Sequence, residues 1–111
     1  MITAFRGDGH RPAHLALTSE SFGRPVRLVI VTEDMGRFNL AGYDASIVVR
    51  QAREDRPLFT RPLTIVDAAG GVVEYVPDGR DYPGPGHYFA RIKLKKPGVE
   101  IETAEFPITI Y

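Results

Sequence analysis

The sequence contains no cysteine. Disulfides and thiolate chemistry are therefore excluded, and the fold must stand on packing alone. It also lacks net charge: fourteen Lys and Arg balance fourteen Asp and Glu. No basic excess is present to support nucleic-acid binding or attraction to an anionic membrane. The longest apolar run is Leu28-Val29-Ile30-Val31, far short of the roughly 20 residues that cross a bilayer as a helix. The first eight residues hold no apolar stretch of signal-peptide length, so the expectation is a chain without an export signal, made and folded in a cytoplasm.

What is present is ordinary in amount and informative in placement. Apolar residues make up 43% of 111, enough for the core of one domain. Nine prolines and eleven glycines recur as punctuation, which favours many short strands over long helices. Residues 1–12 carry Gly7, Gly9 and Pro12 with little periodicity and read as an arm, and residues 14–18 read as a short edge strand. This predicts an N-terminal arm with a possible first edge strand over 1–24 and a sandwich domain over 25–111; the arm packs on a neighbouring subunit, or is a frayed terminus or a first strand of the domain itself.

Within 25–32, Val26, Leu28 and Ile30 share one parity and Arg27, Val29 and Val31 the other. Both faces hold β-branched residues, so one is core and the other is covered by something. Residues 43–51 fit a helix through Ala45, Val48, Val49 and Ala52, or a strand through Ala45, Ile47 and Val49; the run Ile47-Val48-Val49 favours strand. Residues 58–66 are extended, and Pro62 inside them argues for an edge strand or a change of direction. Asp67-Ala68-Ala69-Gly70-Gly71 is a turn into a returning strand at 72–76. Residues 87–95 alternate most regularly. Parity then changes between Ile101 and Phe106, which predicts a bulge or break near Ala104. These are about seven antiparallel strands, the pattern of an all-β sandwich or barrel.

One constellation is sharper. In Asp81-Tyr82-Pro83-Gly84-Pro85-Gly86-His87-Tyr88-Phe89-Ala90, a tyrosine stands just inside a strand after a glycine-rich corner. In immunoglobulin-like sandwiches such a tyrosine turns its hydroxyl back onto the loop. Tyr88, Gly86, Ala90 and Asp81 are thus the fold-defining candidates, with Ala90 where antibody domains carry their second cysteine. The simpler reading of Tyr88 is a half-buried strand aromatic.

No catalytic set can be assembled. His10 and His14 are four apart, but Pro12 interrupts any helix between them, and His87 is distant in sequence. Gly7-Asp8-Gly9 and Gly84-Pro85-Gly86 are turns rather than phosphate loops. The serines lie outside any nucleophile elbow. The expectation is no enzyme, no metal, no cofactor and no small-molecule substrate. Arg91, Lys93 and Lys95 face outward on one strand, and Glu100, Glu102 and Glu105 follow on the next. Paired across Pro97-Gly98, they make cross-strand ion pairs. Read functionally, Arg91, Lys93, Glu100 and Glu102 form a subunit contact with acidic and basic halves. Ile2 and Phe5 of the arm, and Val29 and Val31, are the apolar contact candidates.

The order of segments carries a resemblance. Val26-Arg27-Leu28-Val29-Ile30 is followed by Leu40-Ala41-Gly42 leading into Ile47-Val48-Val49, then by the hairpin from Leu63 to Tyr75. Gly86-His87-Tyr88-Phe89-Ala90 and Ile101-Glu102-Thr103-Ala104-Glu105-Phe106-Pro107 follow. This succession resembles the N-terminal immunoglobulin-like domain of the tailed-phage baseplate upper protein over residues 25–110. The resemblance implies a non-enzymatic virion component, without cofactor, that contacts other phage structural proteins or copies of itself. In that family the chain continues into a part that holds receptor-binding proteins; here it stops at Tyr111, which leaves a baseplate, tail or capsid accessory role open. The alternative is an extracellular or cell-surface adhesive sandwich.

Overall fold

A computed structural model describes residues 2–6 and 11–111, with the Arg11 side chain excepted. Two sheets face each other. One has the order β2-β1-β4-β8-β7: β1 is Thr3–Arg6, β2 Arg11–Pro12, β4 Val26–Val31, β7 Thr64–Asp67 and β8 Val72–Tyr75. The other has the order β3-β11-β9-β5-β6: β3 is Leu15–Leu17, β5 Asp44–Gln51, β6 Pro57–Pro62, β9 Gly86–Lys96 and β11 Phe106–Ile110. β10 (Val99–Glu102) pairs with the far half of β9. The architecture is an all-β, immunoglobulin-like sandwich.

The core is what alternation demands. Leu28, Ile30, Val73 and Tyr75 from the first sheet meet Ile47, Val49, Ile92, Leu94 and Ile108 from the second, all fully buried. The ambiguous segment at 43–51 is a strand, because Ile47 and Val49 alternate onto the inner face beside Ile92 and Ala90 of β9.

Eleven strands are present among the described residues, against about seven expected. Two of the extended stretches split. At Pro62-Leu63 the chain leaves the second sheet, with the Leu63 amide still donating to Ala45, and enters the first as β7. This is the change of direction that Pro62 announced. Between β10 and β11 the break falls at residues 103–105. There the Thr103 side chain replaces the ladder: its hydroxyl accepts from the Ile92 amide and donates to the Ala104 carbonyl. The remaining strands, β1 and β2, come from the segment read as an arm.

Of the alternatives for that segment, its described residues form a first strand of the domain itself. β1 pairs antiparallel with β4, with Phe5 opposite Val29 and Thr3 opposite Val31. Ala4 faces the core, and Phe5 lies on the outer face with Val29, Val31 and Val72. Val29 and Val31 are therefore buried by their own chain and are not a free apolar face. The Ile2 carbonyl accepts from the Ala104 amide, tying the start of β1 to the break in the opposite sheet. The physical reason is that unpaired β4 would expose a row of amides and two valines, and a strand of four residues satisfies both. A second correction concerns direction: β3 runs parallel to β11, with Ala16 opposite Thr109, while every other strand pair is antiparallel.

One glycine is forced. Gly71 has φ +69°, and a Cβ there would lie 2.7 Å from the Ile30 carbonyl oxygen and 2.8 Å from that of Phe38. The β7–β8 hairpin can approach β4 only with glycine at this point.

If β1 closes the sheet, Phe5→Ala destabilises the domain by about 3 kcal/mol, as loss of a buried phenylalanine does. Urea unfolding followed by tyrosine fluorescence measures this. A change within experimental error would return the segment to the status of an arm.

Candidate functional site

The loop of residues 76–85 is held from below by aromatic rings. Tyr88 is buried, and its hydroxyl donates to the Gly84 carbonyl at 2.7 Å. Gly86, at φ +145°, turns the chain into β9 in a conformation that favours glycine. Ala90 sits fully buried between Val49 and Phe106. Tyr82 packs edge-on against Tyr88 and against Phe59, with centroids 5.0 and 5.1 Å apart. Its hydroxyl shares a 2.8 Å hydrogen bond with that of Tyr75. Burial pushes the Tyr75 hydroxyl up to about 12 and raises that of Tyr82 as well, so both stay neutral.

Asp81 stands in the 3-10 turn Gly79–Asp81 and receives both ends of the Arg61 guanidinium, with Nε at 2.9 Å. Its carboxylate is almost enclosed, whereas Arg61 is half-exposed. This pair fastens the loop to β6, the edge of the second sheet. Asp78 caps the same turn, accepting from the Arg80 amide and from its guanidinium; these bonds pull its carboxyl down to about 2. The sequence singled out Asp81 and Tyr88 but not Tyr75, Tyr82 or Arg61. Their meeting depends on the β6–β7 change of sheet, which local pattern does not specify.

The outer face of the second sheet is a charged ladder. Arg91 pairs with Glu102, and Lys93 with Glu100 at 3.0 Å. The register sets Glu102 opposite Lys93 and Glu100 opposite Lys95, so these pairs run diagonally. Arg50 extends the ladder: it grips Glu105 with Nε and Nη2 at 2.8 and 2.9 Å, and its Nη1 donates to the carbonyls of Gln51, Ala52 and Glu54. Its guanidinium lies 4.9 Å over the Phe89 ring. Arg50 thus closes the turn after β5 and anchors the break before β11. Arg91, Lys93, Glu100 and Glu102 are brought together, and their charges are matched within the chain.

At the same end as the tyrosine loop, an open groove of about 410 Å³ is lined by Gln51, Arg53, Glu54, Pro85 and His87. A smaller notch of about 190 Å³ lies beside Phe22, Tyr82, Pro85 and Tyr111. Among the described residues, no three His, Asp or Glu side chains converge as metal ligands. His10 lies outside the described residues.

Two outcomes follow. Tyr88→Phe removes one buried hydrogen bond and costs about 1 kcal/mol in urea unfolding; no loss would mean that the Gly84 contact contributes nothing. Glu105 is held below its ordinary value of 4.5, chiefly by the Arg50 hydrogen bonds. A lowered folded value gives stability that is complete above the unfolded value and disappears as pH falls through the folded one. The wild-type melting temperature therefore falls on acidification below about pH 4.5, and Glu105→Gln flattens that acid limb. An unchanged limb in the variant would assign the loss to other carboxylates.

Several solved structures are similar to the chain at low identity. CopC from Methylosinus trichosporium OB3b is 12% identical over 96% of this chain and 92% of that one, with a TM-score of 0.49. Murine CRIg is 13% identical over 100% and 98%, with a TM-score of 0.43. The extracellular domain of the putative hybrid two-component system BT3049 from B. thetaiotaomicron is 19% identical over 96% of this chain and 12% of that one, with a TM-score of 0.40. Nothing about function follows from these likenesses. No curated protein matches the sequence. The BppU N-terminal domain family matches residues 19–111, from the approach to β4 through the last strand. The chain therefore belongs to the BppU N-terminal domain family, that of the phage baseplate upper protein.

Proposed function

We propose that this domain is a non-catalytic structural module of a tailed-phage virion, seated in the baseplate or tail and acting through protein–protein contacts. Family membership over residues 19–111 carries the reading. The side-chain chemistry supports it. The charged groups Arg50, Arg61, Asp81 and Glu105 hold loops to strands, with Arg61 and Asp81 closed on each other as an ion pair in the wall of an open groove. The enclosed tyrosines are kept neutral by burial. Such an arrangement stabilises a shape.

The contacts of this module fall on its exposed ends. The ladder of Arg91, Lys93, Glu100 and Glu102 contributes to a neighbour only where a partner's charges re-pair it, a salt-sensitive contact. Ile2 and Phe5 support the domain from within. Partners are other virion proteins or further copies of this chain.

Mass spectrometry of gradient-purified particles of the phage that encodes the chain should find its peptides at a stoichiometry fixed relative to known tail proteins. Cryo-EM of those particles should show the sandwich in the baseplate or tail. Peptides confined to the infected-cell lysate and absent from particles would overturn the proposal.

A further inference from the structure

β3, β11 and β9 lie side by side, and their outer faces bring two distant histidines to one point. His14 stands at the entry to β3, Thr109 on β11, and His87 on β9 directly opposite Thr109. His14 Nε2 is 3.3 Å from the Thr109 hydroxyl oxygen, and His87 Nδ1 is 3.5 Å from the same oxygen. The two ring nitrogens are thus separated by no more than these two lengths. Both rings are exposed, His87 on β9 and His14 on the residue before β3.

The chemistry of that line is unusual for a surface. A hydroxyl can donate to an imidazole nitrogen and can accept from an imidazole N–H, and the tautomers of the two rings decide which contact is which. Both contacts are long for hydrogen bonds, and neither restrains its ring strongly. Neutral imidazole nitrogens aimed at a shared point are the ligand set preferred by Zn²⁺, Cu²⁺ and Ni²⁺. Metal–nitrogen bonds of about 2.0–2.1 Å place two such nitrogens about 3–4 Å apart. Both rings are exposed, so side-chain rotation is the motion that would close the remaining gap.

We propose that His14 and His87 form a surface site for a borderline divalent transition metal, with Thr109 as the polar floor. Two protein ligands leave two or more coordination positions to water or to a donor from a neighbouring molecule. The metal cross-links the edge strand β3 to β9 over β11. Ca²⁺ and Mg²⁺ are rejected, because they require oxygen ligands.

The test uses the full chain without a polyhistidine tag, titrated with ZnCl₂, CuCl₂ and MgCl₂ by calorimetry and by NMR of the imidazole protons. One equivalent of Zn²⁺ should bind, Cu²⁺ more tightly, and Mg²⁺ not at all, with the His14 and His87 resonances shifting together. Saturating Zn²⁺ should raise the melting temperature, since it binds only the folded arrangement. His14→Gln and His87→Gln should each weaken Zn²⁺ binding at least tenfold while keeping the metal-free melting curve. His10→Gln should leave binding unchanged. Binding that survives His87→Gln, or that is lost in His10→Gln, would overturn the site, as would the absence of a one-equivalent Zn²⁺ transition.

Discussion

Strand β9 alternates without interruption over Gly86–Lys96, and the other strands of its sheet take their places from it. Tyr88, Ala90, Ile92 and Leu94 point inward and are buried, while His87, Phe89, Arg91, Lys93 and Lys95 point outward. It pairs with β5 along one side and with β11 and then β10 along the other. A slip of one residue would turn four core side chains to solvent and three cations into the core. The register is therefore fixed by burial before any ion pair forms. Its first turn also sets the loop end, because Tyr88 reaches back to Gly84 from a position that β9 dictates.

The two outer faces solve the same problem differently. On the first sheet, Val29 and Val31 are covered by Phe5 and Val72, so apolar area is removed from water on both sides of β4. On the second, the face is a lattice of Arg, Lys and Glu. Exposed ion pairs contribute only about 0–1 kcal/mol each, so the ladder adds little stability. Its role is specificity: the diagonal Arg91–Glu102 and Lys93–Glu100 pairs favour one register for β10 over its neighbours. Arg50 is different in kind. It donates to the carbonyls of Gln51, at the end of β5, and of Ala52 and Glu54 in the turn that follows, and its loss would take a donor from all three as well as from the Glu105 carboxylate.

Local signals were read where the physics is local. Pro62 ended β6, Gly71 turned the β7–β8 hairpin, and the parity change around Ala104 marked the break before β11, because each acts within a few residues. The segment Thr3–Arg6 gave no such signal. Both Ala4 and Phe5 are buried, on opposite faces, so a strand of four residues shows no alternation between apolar and polar. The parallel β3–β11 pairing is a property of topology, set by the crossing from one sheet to the other after β2. The tyrosine cluster and the His14–Thr109–His87 line were equally hidden, since their members lie on elements that meet only after both sheets have formed. What was legible was the class of fold and the turn chemistry; what was not was the set of side chains assembled by long-range pairing.

This division bears on how such a module recognises its neighbours. The sheet faces are closed, one by apolar cover and one by internally matched charge, and neither presents a field of one sign. Recognition by the faces alone would have to break contacts that already exist, a cost in desolvation and in lost pairs. The loop end carries no such cost. Tyr111 and Val76 are largely exposed there, beside the notch formed with Phe22, Tyr82 and Pro85, on loops pinned by the Arg61–Asp81 pair and the Tyr88 hydroxyl. A rigid, partly aromatic surface loses little conformational entropy when covered. In the proposed role, the tyrosine corner is therefore the part of the fold that would need least rearrangement to pack against a neighbour.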